Sequence, residues 1–348
     1  MSSPAITAAL AAALLFGASM PLAKQLLRDV SPMLLAGLLY LGSGVGLVLV
    51  RLVRDRGWRL PAMAGREQGW LLLAIVFGGV LGPLLLMLGL ARTAAATASL
   101  LLNLEAVLTA LLAWIVFREN TDRRVMLGMA LIVAGVVLLA WPGHLPSAAL
   151  GQGAPLIALA CLCWALDNNI TRKVSDSDAL FIAGLKGLAA GIVNVALACM
   201  LGARLPAAAT VAAAMATGLL GYGVSLVLFV LALRGLGAAR AGAYFSTAPF
   251  LGAVIAIIAL GDRATPVFWL AAVLMGAGVW LHLTERHEHL HTHEALTHTH
   301  RHVHDEHHQH THDFDWDGSE PHTHAHIHAP ITHSHPHYPD IHHQHKHR

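Results

Sequence analysis

One acidic residue, Glu105, stands in the middle of an apolar stretch, NLEAVLTALLAWIVFREN. A carboxylate at the centre of a membrane span costs roughly 2.5–3.5 kcal/mol on insertion scales, so it needs water, a partner or a proton. Two roles fit that chemistry: a coupling acid or amine ligand for a transported solute, or a structural acid bonded to a neighbouring helix. Asp167, Asn168 and Asn169 place three adjacent polar side chains at the end of another apolar stretch. Consecutive residues spread around nearly a full helical turn, so not all three can face lipid. They are expected to break the helix and line a cavity, or else to cap it at the membrane surface beside Arg172 and Lys173. Lys186 lies one to two turns into the next stretch. It either snorkels to the interface or pairs with Glu105 or Asp167. Tyr40 and Asn103 complete the set of candidate solute-site residues. Asn194, Tyr222, Tyr244 and Ser246 are read as helix–helix hydrogen-bonding groups. Glu119 and Asp262, at helix ends, are read as loop partners of arginines.

A second chemistry resides at the C-terminal end. Of the 25 histidines, 23 follow Thr284; His144 and His282 are the exceptions. Their pattern is largely His-x-His: His287, His289, His291, His293; His298, His300, His302, His304; His322, His324, His326, His328; His333, His335 and His337. Neutral imidazole suits zinc, copper, nickel and cobalt. In a flexible chain, several such rings can converge on one ion, and protonation near pH 6.5 would release it. Low apolar content predicts disorder over 285–348. No cofactor is otherwise required. The other expected metal-free role for this tail is a pH-dependent charged brush.

The elements that must position Glu105 and its companions are membrane helices. The chain is 56% hydrophobic and 12% charged, about half the charge of an ordinary soluble domain. Spans of roughly 20 apolar residues are expected at 5–27, 32–53, 70–91, 94–117, 124–142, 154–172, 179–201, 208–233, 240–260 and 265–284. The first lacks the basic leader of a signal peptide and is read as a retained helix. Connectors after even-numbered spans hold Arg51, Arg54, Arg56, Arg59, Arg66, Arg118, Arg123, Arg124, Arg172, Lys173, Arg234 and Arg240; the others are poorer in Arg and Lys. That bias predicts a multi-pass inner-membrane protein with both termini, and the tail, in the cytoplasm. The basic residues form no stripe for nucleic acid. Cys161, Cys163 and Cys199 lie in apolar stretches and imply neither disulfides nor a thiolate metal site.

A shift of 143 residues lays Leu90–Trp141 over Leu233–Thr284 without a gap, with Gly135 on Gly278 and Val136 on Val279. Each half holds five spans, so the second is inverted. Such repeats bind solute between the halves near the midplane. The fold class is therefore all-α and polytopic, with units at 1–142 and 143–284 and a tail at 285–348.

These residues resemble the EamA-type ten-helix transporters of the drug/metabolite transporter superfamily. The likeness rests on NLEAVLTALLAWIVFREN and its counterpart STAPFLGAVIAIIALGDR, on GMALIVAGVVL and AAVLMGAGVWL, and on FGASMPLAK in the first helix. The family's Glu-Pro pair is split here between Glu105-Ala106 and Ala248-Pro249, and its basic residue stands as Lys186 in one half and Tyr40 in the other. The resemblance implies transport of a small solute by alternating access, with export the expected direction, coupled to protons or to exchange. The partners expected are the bilayer, the solute and divalent metal ions, with a homodimer left open. The alternatives are a nickel, cobalt or zinc exporter that uses the tail as an ion collector, and a non-transporting metal sensor or store. The spans hold almost no metal ligands, which weighs against metal export. No nucleophile elbow, phosphate loop or metalloprotease signature is present, so no enzyme is expected.

Overall fold

The computed structural model describes residues 3–55, 65–117, 123–141, 153–171 and 179–284, and in the tail 288–293, 296–302, 322–328 and 331–336. Two units separate, Met1–Glu285 and Arg286–Arg348.

The first unit is helical: α1 Ser3–Leu26, α2 Pro32–Asp55, α3 Gly65–Ala74, α4 Gly82–Ala91, α5 Ala95–Leu101, α6 Leu104–Phe117, α7 Arg123–Ala140, α8 Gly153–Thr171, α9 Ala179–Met200, α10 Ala208–Gly218, α11 Ser225–Phe245, α12 Ala248–Leu260 and α13 Pro266–Leu283. Among the described residues, eight helices are long and apolar enough to cross a membrane, and two shorter apolar ones, α12 and α13, complete ten spans. Large apolar side chains point outward, among them Val53, Met200, Ile258 and Val273. In water they would be a liability; in lipid they are the solvated surface.

Small residues set the packing. Helices α2 and α9 cross at Gly44 and Gly187, where a Cβ on Gly187 would stand 2.8 Å from the Gly44 Cα. Only glycine allows that approach.

Three breaks in regular helix were not expected from the sequence. The third span is α3 and α4 joined by π-helical turns at Ile75–Leu81, and the eighth is α10 and α11 joined by π-helical turns at Leu219–Val224. The 143-residue shift superposes these two segments. The fourth span breaks at Leu102–Asn103, between α5 and α6. The chain between spans eight and nine behaves differently again, because α11 is helical throughout 225–245. It cannot be straight. The rings of Phe229 and Phe245 lie 4.7 Å apart, whereas a straight helix would separate them by roughly 24 Å. The chain bends back between Phe229 and Phe245.

In the sixth span, of the two readings left open, the broken helix is not what is found. Helix α8 runs unbroken through Asp167, Asn168 and Asn169 to Thr171. It survives because each polar side chain finds a partner.

In the second unit, where disorder was expected, four strands are described: β1 Glu288–His293, β2 Leu296–His302, β3 His322–His328 and β4 Ile331–Pro336. Strand β1 pairs antiparallel with β4, and β2 with β3. Alternation with Thr and Ile, both β-branched, favours extended backbone. The register sets His289 opposite His335, His291 opposite His333, His298 opposite His326, His300 opposite His324 and His302 opposite His322.

Candidate functional site

The third span supplies the frame. A π-turn sends the carbonyl of residue 78 to the N–H of residue 83, and an α-turn sends the carbonyl of residue 79 there. Residue 83 is proline, which has no N–H. The freed carbonyls are taken by side chains from three other helices. The Tyr40 hydroxyl of α2 donates to the Gly78 oxygen at 2.9 Å, and Trp164 Nε1 of α8 donates to the same oxygen at 3.0 Å. Asn194 Nδ2 of α9 reaches the oxygens of Gly79 and Val80 at 3.5 and 3.4 Å. The bond to Gly79 lies at the limit of hydrogen-bond length.

Beside this frame lie the charged groups. Asp167 is buried against Gly78, so closely that a Cβ on Gly78 would overlap the Asp167 carboxylate. Lys186 Nζ donates to Asp167 Oδ2 at 2.5 Å, and Thr171 Oγ1 donates to Oδ1 at 3.0 Å. Lys186 therefore pairs rather than snorkels.

One residue further along α8, Asn168 Nδ2 donates to Glu105 Oε1 at 2.9 Å. Glu105 sits in the first turn of α6, just past the break at Leu102–Asn103, where the positive end of the helix favours a carboxylate. Asn169 Nδ2 donates to the carbonyl oxygens of Ala165 and Thr109 at 2.8 and 3.3 Å. Asn103 is buried and its amide donates to the Leu100 oxygen at 2.9 Å, which closes the end of α5.

The expected site residues are thus brought together in one place, Tyr40, Glu105, Asp167, Asn168, Asn169 and Lys186, while Asn103 serves the adjacent helix break. Trp164, Gly78 and Asn194 belong to the site as well. The signal that could have found them is the spacing of Gly78 and Gly79 to Pro83. Against the site stands an aromatic wall. Tyr40 and Tyr222 have ring centroids 5.8 Å apart, Phe16 meets Tyr222 edge-on at 5.8 Å, and Phe16 meets Phe245 at 5.5 Å.

The end of the bundle remote from the N terminus is tied together. Lys24 Nζ, near the end of α1, donates to the carbonyls of Leu90 and Ala91 at 2.6 and 3.3 Å. Asp262, after α12, accepts from the Ala96 N–H of α5 at 2.9 Å. Lys24, Gln25, Arg28 and Asp262 line a cavity of about 210 Å³ there. Asp262 was expected to face an arginine; it faces Lys24 and caps α5 instead. Toward the other end, α6 leans on α8, and Asn168 is exposed.

Residues 3–141 and 151–284 each match the EamA-like transporter family. The chain belongs to the EamA-like transporter family. It is an integral multi-pass membrane protein and a secondary transporter, not an enzyme, which sets it in a bilayer with a small-molecule substrate. Among relatives of this EamA-like chain, an uncharacterized transporter of Methanothermobacter thermautotrophicus is 29% identical over 286 residues, covering 78% of this chain and 83% of its own. A probable 4-amino-4-deoxy-L-arabinose-phosphoundecaprenol flippase subunit, ArnE, of Pseudomonas aeruginosa is 42% identical over 111 residues, 31% of this chain and 93% of its own. A solved crystal structure aligns with TM-score 0.58 at 21% identity, over 81% of this chain and 98% of that one. At that identity it shows the fold alone.

His287, His304 and His337, like Glu119, Arg172 and Lys173, lie outside the described residues. Among the described residues, no group of three or more His, Cys, Asp or Glu is placed to hold a metal ion. In the described strands, histidines stand opposite histidines in the backbone register.

Proposed function

We propose that this EamA-like protein exports a small solute by alternating access, with Glu105 as the carboxylate that couples movement to protons or to exchange. The observation that carries the reading is the charge arrangement. Lys186 neutralises Asp167, while Glu105 accepts a hydrogen bond from the Asn168 amide. A carboxylate held that way inside a bundle needs a cation that comes and goes. The closed end at Lys24 and Asp262 and the exposed Asn168 at the other side fit one state of an alternating cycle.

Both termini are assigned to the cytoplasm from the Arg and Lys bias of the connectors. The tail there binds a divalent transition metal, zinc, nickel, cobalt or copper, and regulates transport. Metal export is the second reading, favoured by the cross-strand histidine pairs and opposed by the lack of ligands in the spans.

Removing residues 285–348 deletes no span and separates these readings. In vesicles carrying a regulated solute transporter, the truncated protein keeps its solute flux. Zinc slows or speeds the full-length protein only, and only from the cytoplasmic face. If metal is the cargo, a flexible tether supplies effective concentrations up to the millimolar range. Truncation then raises the metal concentration for half-maximal flux and leaves the maximal rate unchanged. Metal flux by either form would displace the regulatory reading. A zinc response confined to the opposite face would overturn the orientation.

A further inference from the structure

We propose that the tail holds divalent transition metal at two separate stations, one on each strand ladder, and that the two arms of one hairpin share each ion. This rests on the metal-binding reading of the tail above. It adds which histidines act together and how the ions are divided among them.

The register carries it. Strands β1 and β2 lie on one arm, β3 and β4 on the other. The β1–β4 ladder ends with His293 opposite Ile331, and the β2–β3 ladder starts with Leu296 opposite His328. Each arm advances by three residues between these two pairs, so both ladders keep one register, that of a single hairpin whose arms turn back between His302 and His322. Pro330 falls between β3 and β4 in the chain and has no N–H to offer a ladder. The sequence obeys the same register. Alternate residues of an extended arm share a face, so His-x-His spacing lays a row of histidines along one face. On both arms that alternation slips by one residue, between His293 and His298 and between His328 and His333. The two slips come at matched places, where one ladder gives way to the other. A histidine-rich tail with no pairing to keep has no physical cause to slip twice in step.

Each ladder thus carries two facing rows of histidine on one face. On β1 and β4, His289 and His291 stand opposite His335 and His333; on β2 and β3, His298, His300 and His302 stand opposite His326, His324 and His322. Opposed residues have Cβ atoms about 4.5–5.5 Å apart, and the next pair on that face follows at roughly 6.6 Å. Imidazoles on the four corners of such a rectangle can reach one ion above its centre at the roughly 2.0–2.1 Å of a zinc–nitrogen bond. One arm alone offers two neighbouring rings to an ion; two arms offer the four that zinc takes. No three described residues are already gathered on one point; the backbone supplies the rectangle and the ion gathers the rings. On each arm a run of four residues without histidine, 294–297 and 329–332, parts the two blocks, so they do not merge into one site.

The full-length protein in detergent is dialysed against zinc at a fixed free concentration, and the bound zinc is counted. Substitutions to threonine keep extended backbone favourable. His289→Thr with His291→Thr removes one ion, and so does His333→Thr with His335→Thr. All four together remove that same ion and no more, because both arms hold it; such non-additivity marks groups that act on one partner. His322→Thr, His324→Thr and His326→Thr together remove a second ion and leave the first. Cobalt(II), which absorbs strongly only when four-coordinate, loses one part of its spectrum with each set of substitutions. A loss that doubles when both arms are changed shows the arms binding separately and overturns the shared stations. Equal, graded losses from every histidine, His342 and His345 beyond the ladders included, overturn them as well. Either result leaves metal binding by the tail standing. Zinc binding no greater than that of the protein lacking 285–348 overturns that reading and this one together.

Discussion

Glu105→Gln reduces solute flux in reconstituted vesicles by about 100-fold, the worth of roughly 3 kcal/mol at one charged contact, and leaves the protein inserted and folded. The substitution keeps the side chain's shape. A glutamine oxygen can still accept from Asn168 Nδ2, now 2.9 Å from Glu105 Oε1, so the α6–α8 contact persists. What disappears is the charge and the titration. A thermal melt in detergent separates the two effects: the midpoint stays level or rises, because a desolvated charge has been removed. Flux at the wild-type rate would reduce Glu105 to a brace between helices. A collapsed melt would show the carboxylate to be structural.

The second large effect falls on the Lys186–Asp167 pair. Their side chains are 19% and 6% exposed, and breaking a buried pair from one side strands the other charge, at about 3–5 kcal/mol. Lys186→Met strands a carboxylate pressed against Gly78; Asp167→Asn strands an ammonium among apolar helices. The double substitution Asp167→Asn with Lys186→Met removes both charges and recovers most of the stability, because neutral replacements of a buried pair are often tolerated. Denaturant melts of the four proteins give the coupling directly. Losses that simply add would show that the two charges do not depend on each other. The double variant also keeps the net charge of the site, so Glu105 retains its role in it.

The spans and the two-part repeat were legible because lipid imposes length and apolarity on every helix. The position of Glu105 was legible for the same reason: an acid stands out against such a background. The break at Leu102–Asn103 beside it was not, since apolar periodicity is silent about where a helix interrupts itself inside a bundle. The sequence left two readings for Asp167, Asn168 and Asn169, a broken helix that lines a cavity or a cap at the helix end, and α8 runs helical through them to Thr171. Lys186, Glu105 and Thr109 bond them from other helices, and Asn169 also donates back to Ala165 within α8. Sequence left two fates for Lys186, interface or ion pair; neighbouring Asp167 across α8 and α9 decides between them. Trp164 and Asn194 read as ordinary span residues until Pro83 is seen to free the carbonyls they bind. The π-helical turns at Ile75–Leu81 and Leu219–Val224 fall at equivalent places in the two halves, so they belong to the repeat itself.

Solvent access to position 168 tests the central claim, that one site between the halves is reached from each side in turn. Asn168 is exposed in this structure, and the opposite end is closed by Lys24 and Asp262. Asn168→Cys is made with Cys161, Cys163 and Cys199 replaced, and a membrane-impermeant thiol reagent is applied to sealed vesicles of each orientation. Alternating access predicts labelling from both faces. It also predicts that Asp262→Asn, which weakens the tie to Ala96, speeds labelling from the Lys24 face and slows it from the other. Labelling from one face alone, unaffected by Asp262→Asn, would contradict the account.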